Sequence, residues 1–270
     1  MSKRKTSALR KSGRSNAKSR YYDEFDSFLE SNVIPMTSRI EPNQKTFTQH
    51  DLKNINPMTD NQEKLFDLWE DGYSFVLDGF PGCGKTTVAC YLALHEILDK
   101  NSPYEKLIIV RSCQPTKDTG FLPGSQEEKE EIYELPYHDV FNNLFIKKNQ
   151  YKFMKEAGIV QFTSTSYMRG LTFDNCIIVV DESASATYHE LSTVITRMGK
   201  NSKIVFCGDE NQNDLIYDRN LESGYAKFKA ITQMMPDFRS INFTIDDCVR
   251  SGMVKSFLIA EKRYSDMQKR

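Results

Sequence analysis

The chain has 270 residues, with 39% apolar and 27% charged side chains and a formal net charge of −1. This length and apolar content indicate a soluble globular protein with a sizeable core. We find neither a run of about 18 apolar residues nor an apolar signal-peptide core, so we expect a cytoplasmic protein that neither enters a membrane nor is secreted.

A basic segment comes first. Residues 1–20 carry eight Lys or Arg and no acidic residue, and their polar composition cannot offset the entropy lost on ordering. We predict a flexible basic arm at residues 1–45 and a single folded domain at residues 46–270. The arm is either a sequence-independent grip on nucleic-acid phosphates or a solubilising tail, and both interpretations stay open.

Apolar runs and helical patterns then alternate along the chain. The predicted strands are 74–77, 106–111, 159–162, 176–180, 203–207 and 240–243. The predicted helices are 60–71, 85–98, 188–198 and 254–264. This alternation predicts an α/β domain with a parallel sheet between helices, and such sheets bind ligands beyond the carboxyl ends of their strands.

The first strand and its helix enclose a phosphate-binding pattern. The stretch "GFPGCGKT" fits G-x-x-x-x-G-K-[ST], whose glycines let backbone N–H groups converge on an anion at a helix N-terminus. Lys85 is expected to reach the β- and γ-phosphates of ATP, and the Thr86 hydroxyl to bind Mg²⁺. The residues expected to contact the nucleotide are Gly79, Phe80, Pro81, Gly82, Cys83, Gly84, Lys85, Thr86 and Thr87.

Two later strands end in polar groups at the same predicted edge. Asp181 and Glu182 follow "IIVV", where Asp181 can hold Mg²⁺ and Glu182 can deprotonate the attacking water. After "KIVFC" comes "GDENQ", in which Gln212 can bond a γ-phosphate oxygen or that water. The alternatives are a solvated strand end for the acids and an ordinary turn for the second group.

The six cysteines and four histidines form no metal-binding pattern. The chain has no CxxC pair, so we predict a reduced protein without structural zinc. Most of the cysteines lie in apolar runs, where free Cys is usually a core residue. They are Cys83, Cys90, Cys113, Cys176, Cys207 and Cys248.

Several blocks together resemble one known family, the PhoH-like phosphate-starvation-inducible ATPases. These blocks are "GFPGCGKT", "TGFLPGSQEEK", "YMRGLTFDNCIIVVDES", "TRMGKNSKIVFCGDENQNDL" and "FTIDDCVRSGMVKSFLIA", within residues 55–264. The resemblance implies a RecA-like P-loop NTPase core, a homo-oligomeric and specifically hexameric ring, and ATP-driven activity on RNA or single-stranded DNA. Small stand-alone members are frequent in bacteriophages, so a phage origin fits the resemblance.

The resemblance also bears on individual residues. It implies that Gln62 recognises adenine, although Thr59 to Gln62 is equally a capping-box pattern. The family's second block usually continues Asp-Glu-Ala-Gln-Asn, whereas Ser183, Ala184 and Ser185 follow the acids here. The missing amide at Ala184 puts coupling between nucleotide and nucleic acid in question, but leaves Mg²⁺ binding and hydrolysis unaffected.

An arginine finger is expected because charge builds up on the γ-phosphoryl group during its transfer. Too few residues follow the first domain to form a second one, so we predict that a neighbouring copy in a ring supplies the arginine. Arg250 is the first candidate, since the resemblance places an arginine there, and Arg197 is the second. The alternative for each is an intramolecular salt bridge.

Nucleic-acid contact has weaker support than nucleotide binding. Sites that follow a nucleic-acid backbone combine hydroxyls, cations and stacking rings. The candidates are Lys117, Phe121, Tyr133, Tyr137, Thr163, Ser164, Thr165 and Arg169, each of which can equally be a surface or core residue. The acidic residues 126–134 are interpreted as a solvated helix or a partner surface.

We therefore predict an ATPase acting on single-stranded nucleic acid, with ATP and Mg²⁺ as cofactors. One alternative is a nucleotide-dependent switch or assembly protein that acts on a protein partner. Another is a small-molecule kinase, which the Asp181–Glu182 pair and Gln212 disfavour because a kinase needs no water-activating carboxylate.

Overall fold

The computed structural model describes residues 47–112, 126–168, 170–209 and 224–268. Its strands in chain order are β1 Ser74–Gly79, β2 Lys106–Arg111, β3 Val160–Ser164, β4 Cys176–Asp181, β5 Ser202–Gly208 and β6 Phe238–Phe243. Its α-helices are α1 Asp60–Trp69, α2 Lys85–Ile97, α3 Gln126–Leu144, α4 Gln150–Glu156, α5 Tyr188–Ile195, α6 Tyr225–Thr232 and α7 Gly252–Gln268.

The described strands form one parallel sheet in the order β3-β2-β4-β5-β1-β6. Each predicted strand is present, with its ends within about two residues of the predicted ones, so the predicted α/β parallel-sheet fold is confirmed. The strands are almost continuously apolar because both faces of the sheet are covered. Loops leaving β1, β4, β5 and β6 therefore emerge together at the carboxyl edge.

Alternate residues of each strand face two separate apolar layers. Phe75 and Leu77 of β1 pack with α1, α2, α3, α4 and α7 on one face, whereas Val76 packs with α5 and α6 on the other. This alternation is the two-residue period of a strand. All five described cysteines are buried, so the prediction of core cysteines is confirmed for Cys83, Cys90, Cys176, Cys207 and Cys248.

The acidic segment is helical, as one of its two interpretations predicted, and Glu131 is exposed, but the solvated character is wrong at Glu134. The predicted solvated helix at 126–134 is the start of α3, which continues to Leu144 with Pro136 inside it. Glu134 is 5% exposed and accepts hydrogen bonds from Lys155, at 2.6 and 2.7 Å, and from the Tyr151 hydroxyl at 3.2 Å. A proline inside a helix removes a backbone hydrogen bond, so Pro136 argues against a continuous helix in the sequence. Here the packing of α3 against α4 outweighs the cost of that lost bond.

The short helices α4 and α6 were not predicted. With seven and eight residues, they cover about two turns each, too few for a clear 3.6-residue period. The predicted arm lies outside the described residues, so the boundary between residues 45 and 46 stays a prediction. In the described part of the chain, none of the helices has the length and apolar character needed to cross a bilayer.

Candidate active site

The phosphate loop joins β1 to α2 at the carboxyl edge of the sheet. Gly79 has φ 127°, and a Cβ there would lie 1.9 Å from the Phe243 carbonyl oxygen, so this position requires glycine. Gly84, in the left-handed region at φ 77°, is the N-cap of α2. The loop therefore presents the free N–H groups of a helix N-terminus, an arrangement that binds phosphate.

Lys85 lies inside this loop. Its Nζ donates hydrogen bonds to the carbonyl oxygens of Gly79 at 2.6 Å and Phe80 at 2.7 Å. The ammonium is thus held at the mouth of the anion site. The loop's Cys83 is fully buried, and burial raises the pKa of its thiol to about 11 despite the nearby Lys85 charge. Cys83 is consequently a neutral packing residue whose contribution to a nucleotide site is its backbone.

Thr86 and Asp181 come together although they lie on different elements. The Thr86 hydroxyl donates a 2.6 Å hydrogen bond to Asp181 Oδ1 at the end of β4. A hydroxyl and a carboxylate converging beside a phosphate loop are the hard oxygen ligands that Mg²⁺ prefers. The residues present therefore fit the predicted metal.

Tyr137 of α3 reaches the same carboxylate, a contact that sequence reasoning missed. Its hydroxyl donates to Asp181 Oδ2 at 2.9 Å, and its side chain is 1% exposed. Burial, followed by the Asp181 charge, raises the pKa of Tyr137 well above its usual value. The hydroxyl therefore stays protonated and remains a donor. A buried ring cannot stack on a base, so the prediction that Tyr137 contacts nucleic acid is wrong.

Glu182 is exposed and follows the metal-binding candidate directly. Its backbone is left-handed, with φ 51°, and it caps a short 3-10 helix, Ser183–Ser185. A non-glycine residue in this region costs about 1–3 kcal/mol, and such strain is concentrated at functional sites. Ser183 is fully buried and donates to the Cys207 carbonyl at 2.9 Å, which fixes the turn against β5. The turn thereby places Glu182 in the wall of the cleft above the loop.

Asp209 ends the described part of the β5 edge, and it is buried in the wall of the cleft. Gln212, the predicted γ-phosphate or water ligand, lies outside the described residues. Its role stays a prediction.

Gln62 lies under the loop with both ends of its amide engaged. Oε1 accepts from the Met58 N–H at 2.8 Å, and Nε2 donates to the Cys83 carbonyl at 3.0 Å. Thr59 caps α1, but the glutamine bonds back to Met58 rather than to Thr59 as a capping box requires. Gln62 is 3% exposed and lines the cleft, and adenine recognition stays a prediction.

The two arginine candidates lie at opposite edges of the sheet. Arg250 lines the cleft beside the loop of its own chain, where a Cβ on Gly82 would be 2.6 Å from Arg250 Cγ. The neighbouring Val249 N–H donates to the Gly82 carbonyl at 3.1 Å. Arg197 follows α5 and accepts through its carbonyl from Phe173, near the amino end of β4. Arg250 is therefore the candidate that lies beside the phosphate loop, and its role as an arginine finger stays a prediction.

Most remaining nucleic-acid candidates are buried or lie outside the described residues. Thr163, Ser164 and Thr165 are 6%, 1% and 3% exposed, so they are core residues and the prediction that they track a backbone is wrong. Lys117, Phe121 and Arg169 lie outside the described residues. Tyr133 is half-buried, with the Arg111 guanidinium carbon 5.9 Å from its ring centroid.

Thr165 instead belongs to a hydrogen-bond cluster around Glu190 of α5. Glu190 accepts from the hydroxyls of Thr165 at 2.6 Å and Ser112 at 3.3 Å, and caps α5 through the Thr187 N–H at 2.8 Å. Burial alone would raise the pKa of Glu190, but these hydrogen bonds outweigh it and lower the pKa below 4.5. This cluster ties the ends of β2 and β3 to α5. Its only sequence signal was the Thr187-x-x-Glu190 capping box.

The described residues around the loop enclose a cleft of about 630 Å³. Its walls bring together Gln62, the loop, Asp181, Glu182 and Arg250 from segments far apart in the sequence. A cleft of this size is within the range of small-molecule sites. It combines an anion site, a cation site and a carboxylate, which together suit a nucleoside triphosphate with its metal.

Comparison with known proteins matches the part of the chain that contains the candidate active site. The model of the family described as PhoH-like protein matches residues 54–261. The chain is 30% identical over 215 residues to a PhoH-like protein of Mycobacterium tuberculosis, covering 79% of this chain and 60% of that one. It is 33% identical over 186 residues to Protein PhoH of Escherichia coli, covering 67% and 51%. The chain thus spans between about half and three-fifths of these relatives.

Among solved structures, the chain is similar to the large terminase of a thermophilic bacteriophage. The TM-score is 0.49 at 13% identity, over 75% of this chain and 50% of that chain.

Proposed function

The chain belongs to the PhoH-like family, and on that premise we propose that it is an ATPase whose turnover is coupled to single-stranded nucleic acid, foremost RNA. The observation that carries the ATPase part is the meeting of Lys85, Thr86 and Asp181 at one loop: Thr86 donates to Asp181 at 2.6 Å, and Lys85 donates to the loop carbonyls of Gly79 and Phe80 at 2.6 and 2.7 Å. Such an arrangement supports binding of a nucleoside triphosphate with a divalent cation.

Each group at the cleft has a distinct part in this proposal. The N–H groups of the loop and the Lys85 ammonium bind the phosphates. Thr86 and Asp181 would hold Mg²⁺, which when bound supplies positive charge to the β- and γ-phosphate oxygens. Glu182, exposed in the cleft, takes the proton from the attacking water as general base.

Arg250 is proposed to stabilise the charge that develops on the transferred phosphoryl group. Its segment is tied to the loop of the same chain by the hydrogen bond from the Val249 N–H to the Gly82 carbonyl. This placement supports action within one chain rather than the predicted action of a neighbouring copy's arginine. The homo-oligomeric ring stays a prediction, which rests on the resemblance and on the expected arginine finger.

The nucleic-acid part rests on the sequence. Residues 1–20 carry eight positive charges and no negative one, the composition of a phosphate-binding arm. The family resemblance implies the same class of partner. Although Ala184 lacks the amide usual in the family, the buried Ser183 joins the turn after β4 to the end of β5. We propose that this bond couples the two strand ends.

The direct test is an ATPase assay with a panel of single-stranded and duplex RNA and DNA. We expect Mg²⁺-dependent hydrolysis that single-stranded RNA stimulates, and a matched Lys85→Ala chain without hydrolysis under every condition. Hydrolysis that no nucleic acid stimulates would favour a switch acting on a protein partner. Transfer of phosphate to a small acceptor, without release of inorganic phosphate, would favour a kinase and contradict the role given to Glu182.

A further inference from the structure

The Asp181 carboxylate is held at both oxygens by hydroxyl groups from two different elements. Thr86 donates to Oδ1 at 2.6 Å from α2, and Tyr137 donates to Oδ2 at 2.9 Å from α3. The torsion that orients a carboxylate has broad, weakly defined minima. Two simultaneous donors therefore restrict the Asp181 carboxylate to one orientation, whereas the carboxylate alone would sample a range of orientations.

Within this pair of donors, Tyr137 is the one that stands outside the phosphate loop. Thr86 is itself a candidate metal ligand and belongs to the binding machinery, whereas Tyr137 lines the cleft from α3 and meets the candidate metal ligand through its hydrogen bond to Asp181. Carboxylates that bind metals are commonly fixed by such outer hydrogen bonds, and their loss typically lowers metal affinity about 10- to 100-fold. We propose that Tyr137 is a positioning residue that presets Asp181 for a divalent cation, a role that rests on the proposed nucleotide site.

Packing holds the Tyr137 ring in place independently of its hydroxyl. The ring lies 5.8 Å from that of Phe162 on β3, and α3 is anchored to α4 by the Glu134–Lys155 ion pair at 2.6 Å. Phe141, one turn further along α3, meets the Tyr151 ring edge-on at 5.0 Å. Deleting the Tyr137 hydroxyl should therefore leave α3 where it is and remove only the restraint on Asp181.

The chain offers a matched control in Tyr151. Tyr151 and Tyr137 are both 1% exposed, and each donates its hydroxyl to a carboxylate, at 3.2 Å to Glu134 and at 2.9 Å to Asp181. Tyr137→Phe and Tyr151→Phe thus remove the same atom from similar surroundings. Only the first change touches the candidate metal ligand.

The experiment measures binding of a fluorescent, non-hydrolysable ATP analogue to the full chain while Mg²⁺ is titrated. For Tyr137→Phe we expect the half-saturating Mg²⁺ concentration to rise about tenfold or more. Affinity for the analogue without metal should stay at the level of the unaltered chain, since the loop and Lys85 are intact. Tyr151→Phe should match the unaltered chain in both measurements, and chemical denaturation should show all three chains folded.

The outcomes separate the positioning role from the proposed ATPase. Mg²⁺-linked binding that is the same in the unaltered chain and in Tyr137→Phe would refute the positioning role and leave the proposed ATPase intact. Equal loss of metal linkage in both tyrosine variants would show a general effect of core hydroxyls and would also refute the role. No Mg²⁺ linkage in the unaltered chain would overturn the nucleotide site and the positioning role together.

Discussion

Replacing Arg250 by alanine is expected to slow ATP hydrolysis about a thousandfold and to leave ATP binding nearly unchanged. Arg250 lies so close to the loop that a Cβ on Gly82 would meet its Cγ at 2.6 Å, so its guanidinium can reach phosphates bound there. A charge pair about 4 Å apart, at an effective dielectric constant of about 20, is worth about 4 kcal/mol. Applied only in the transition state, that energy corresponds to nearly a thousandfold in rate.

The assay pairs steady-state phosphate release with fluorescent nucleotide binding. Arg250→Lys is the matched control, since it keeps the charge but loses the planar fork, and should retain part of the rate. A similar loss of ATP affinity in Arg250→Ala would contradict the reasoning, because it would place the arginine in ground-state binding.

Mixing Arg250→Ala with Glu182→Gln tests whether Arg250 acts within its own chain. If it does, no chain in the mixture has an intact site and activity stays at the level of the separate variants. If Arg250 instead acts across a subunit boundary, about a quarter of the sites in a randomly mixed closed ring pair an intact Glu182 with an intact arginine. Recovery to about that fraction, with subunit exchange demonstrated, would refute action in cis.

Three further predictions concern other parts of the chain. Lys85→Ala should bind ATP more weakly and lose turnover. Glu182→Gln should bind ATP normally and hydrolyse it about two to four orders of magnitude more slowly. Normal hydrolysis in Glu182→Gln would show that Glu182 is not the general base. Deleting residues 1–20 should weaken RNA binding. The slope of the logarithm of the binding constant against the logarithm of salt concentration should flatten by about 0.7 for each phosphate that the arm no longer neutralises. An unchanged slope would identify the arm as a solubilising tail. Because Glu190 has a lowered pKa in the folded state, its carboxylate stabilises the fold above pH 4.5. That stabilisation is lost as the pH falls through the pKa of the folded state. Glu190→Gln should therefore lower the free energy of unfolding by about 1–3 kcal/mol at pH 7 and make it depend less on pH on the acid side. Urea titrations at pH 7 and below pH 4.5 would measure both effects. An unchanged dependence on pH would contradict this assignment.

Local chemistry made much of the fold and site predictable. The loop pattern specifies its own conformation, because Gly79 and Gly84 occupy backbone regions that side chains disfavour. The strands were predictable because a parallel sheet covered on both faces needs continuous apolar runs. Asp181 was predictable because carboxyl ends of parallel strands share one edge.

Interactions between distant segments were not predictable in the same way. Tyr137 meets Asp181 across 44 positions, through a helix that a sequence reading ends before Pro136. Thr163 to Thr165 have the composition of a polar, solvent-facing turn, yet all three are buried, and Glu190 satisfies the Thr165 hydroxyl. Hydrogen-bond partners of this kind are fixed only when the helices are placed on the sheet.

The strand order itself favours Arg250 as a residue of its own site. β6 pairs with β1 in parallel, with Gly79 opposite Phe243, so the chain leaving β6 must emerge beside the phosphate loop. Phe80 then donates to the Phe243 carbonyl at 3.3 Å, and the Asn61 side chain donates to Asp247 at 2.8 Å, which fastens the segment after β6 to α1 and the loop. With only a short turn between Phe243 and Arg250, the arginine stays within reach of the same loop. A sequence gives the strands but not their order, so the approach of Arg250 to its own loop follows only from the pairing of β6 with β1. The mixing experiment decides between this arrangement and the predicted arginine of a neighbouring copy.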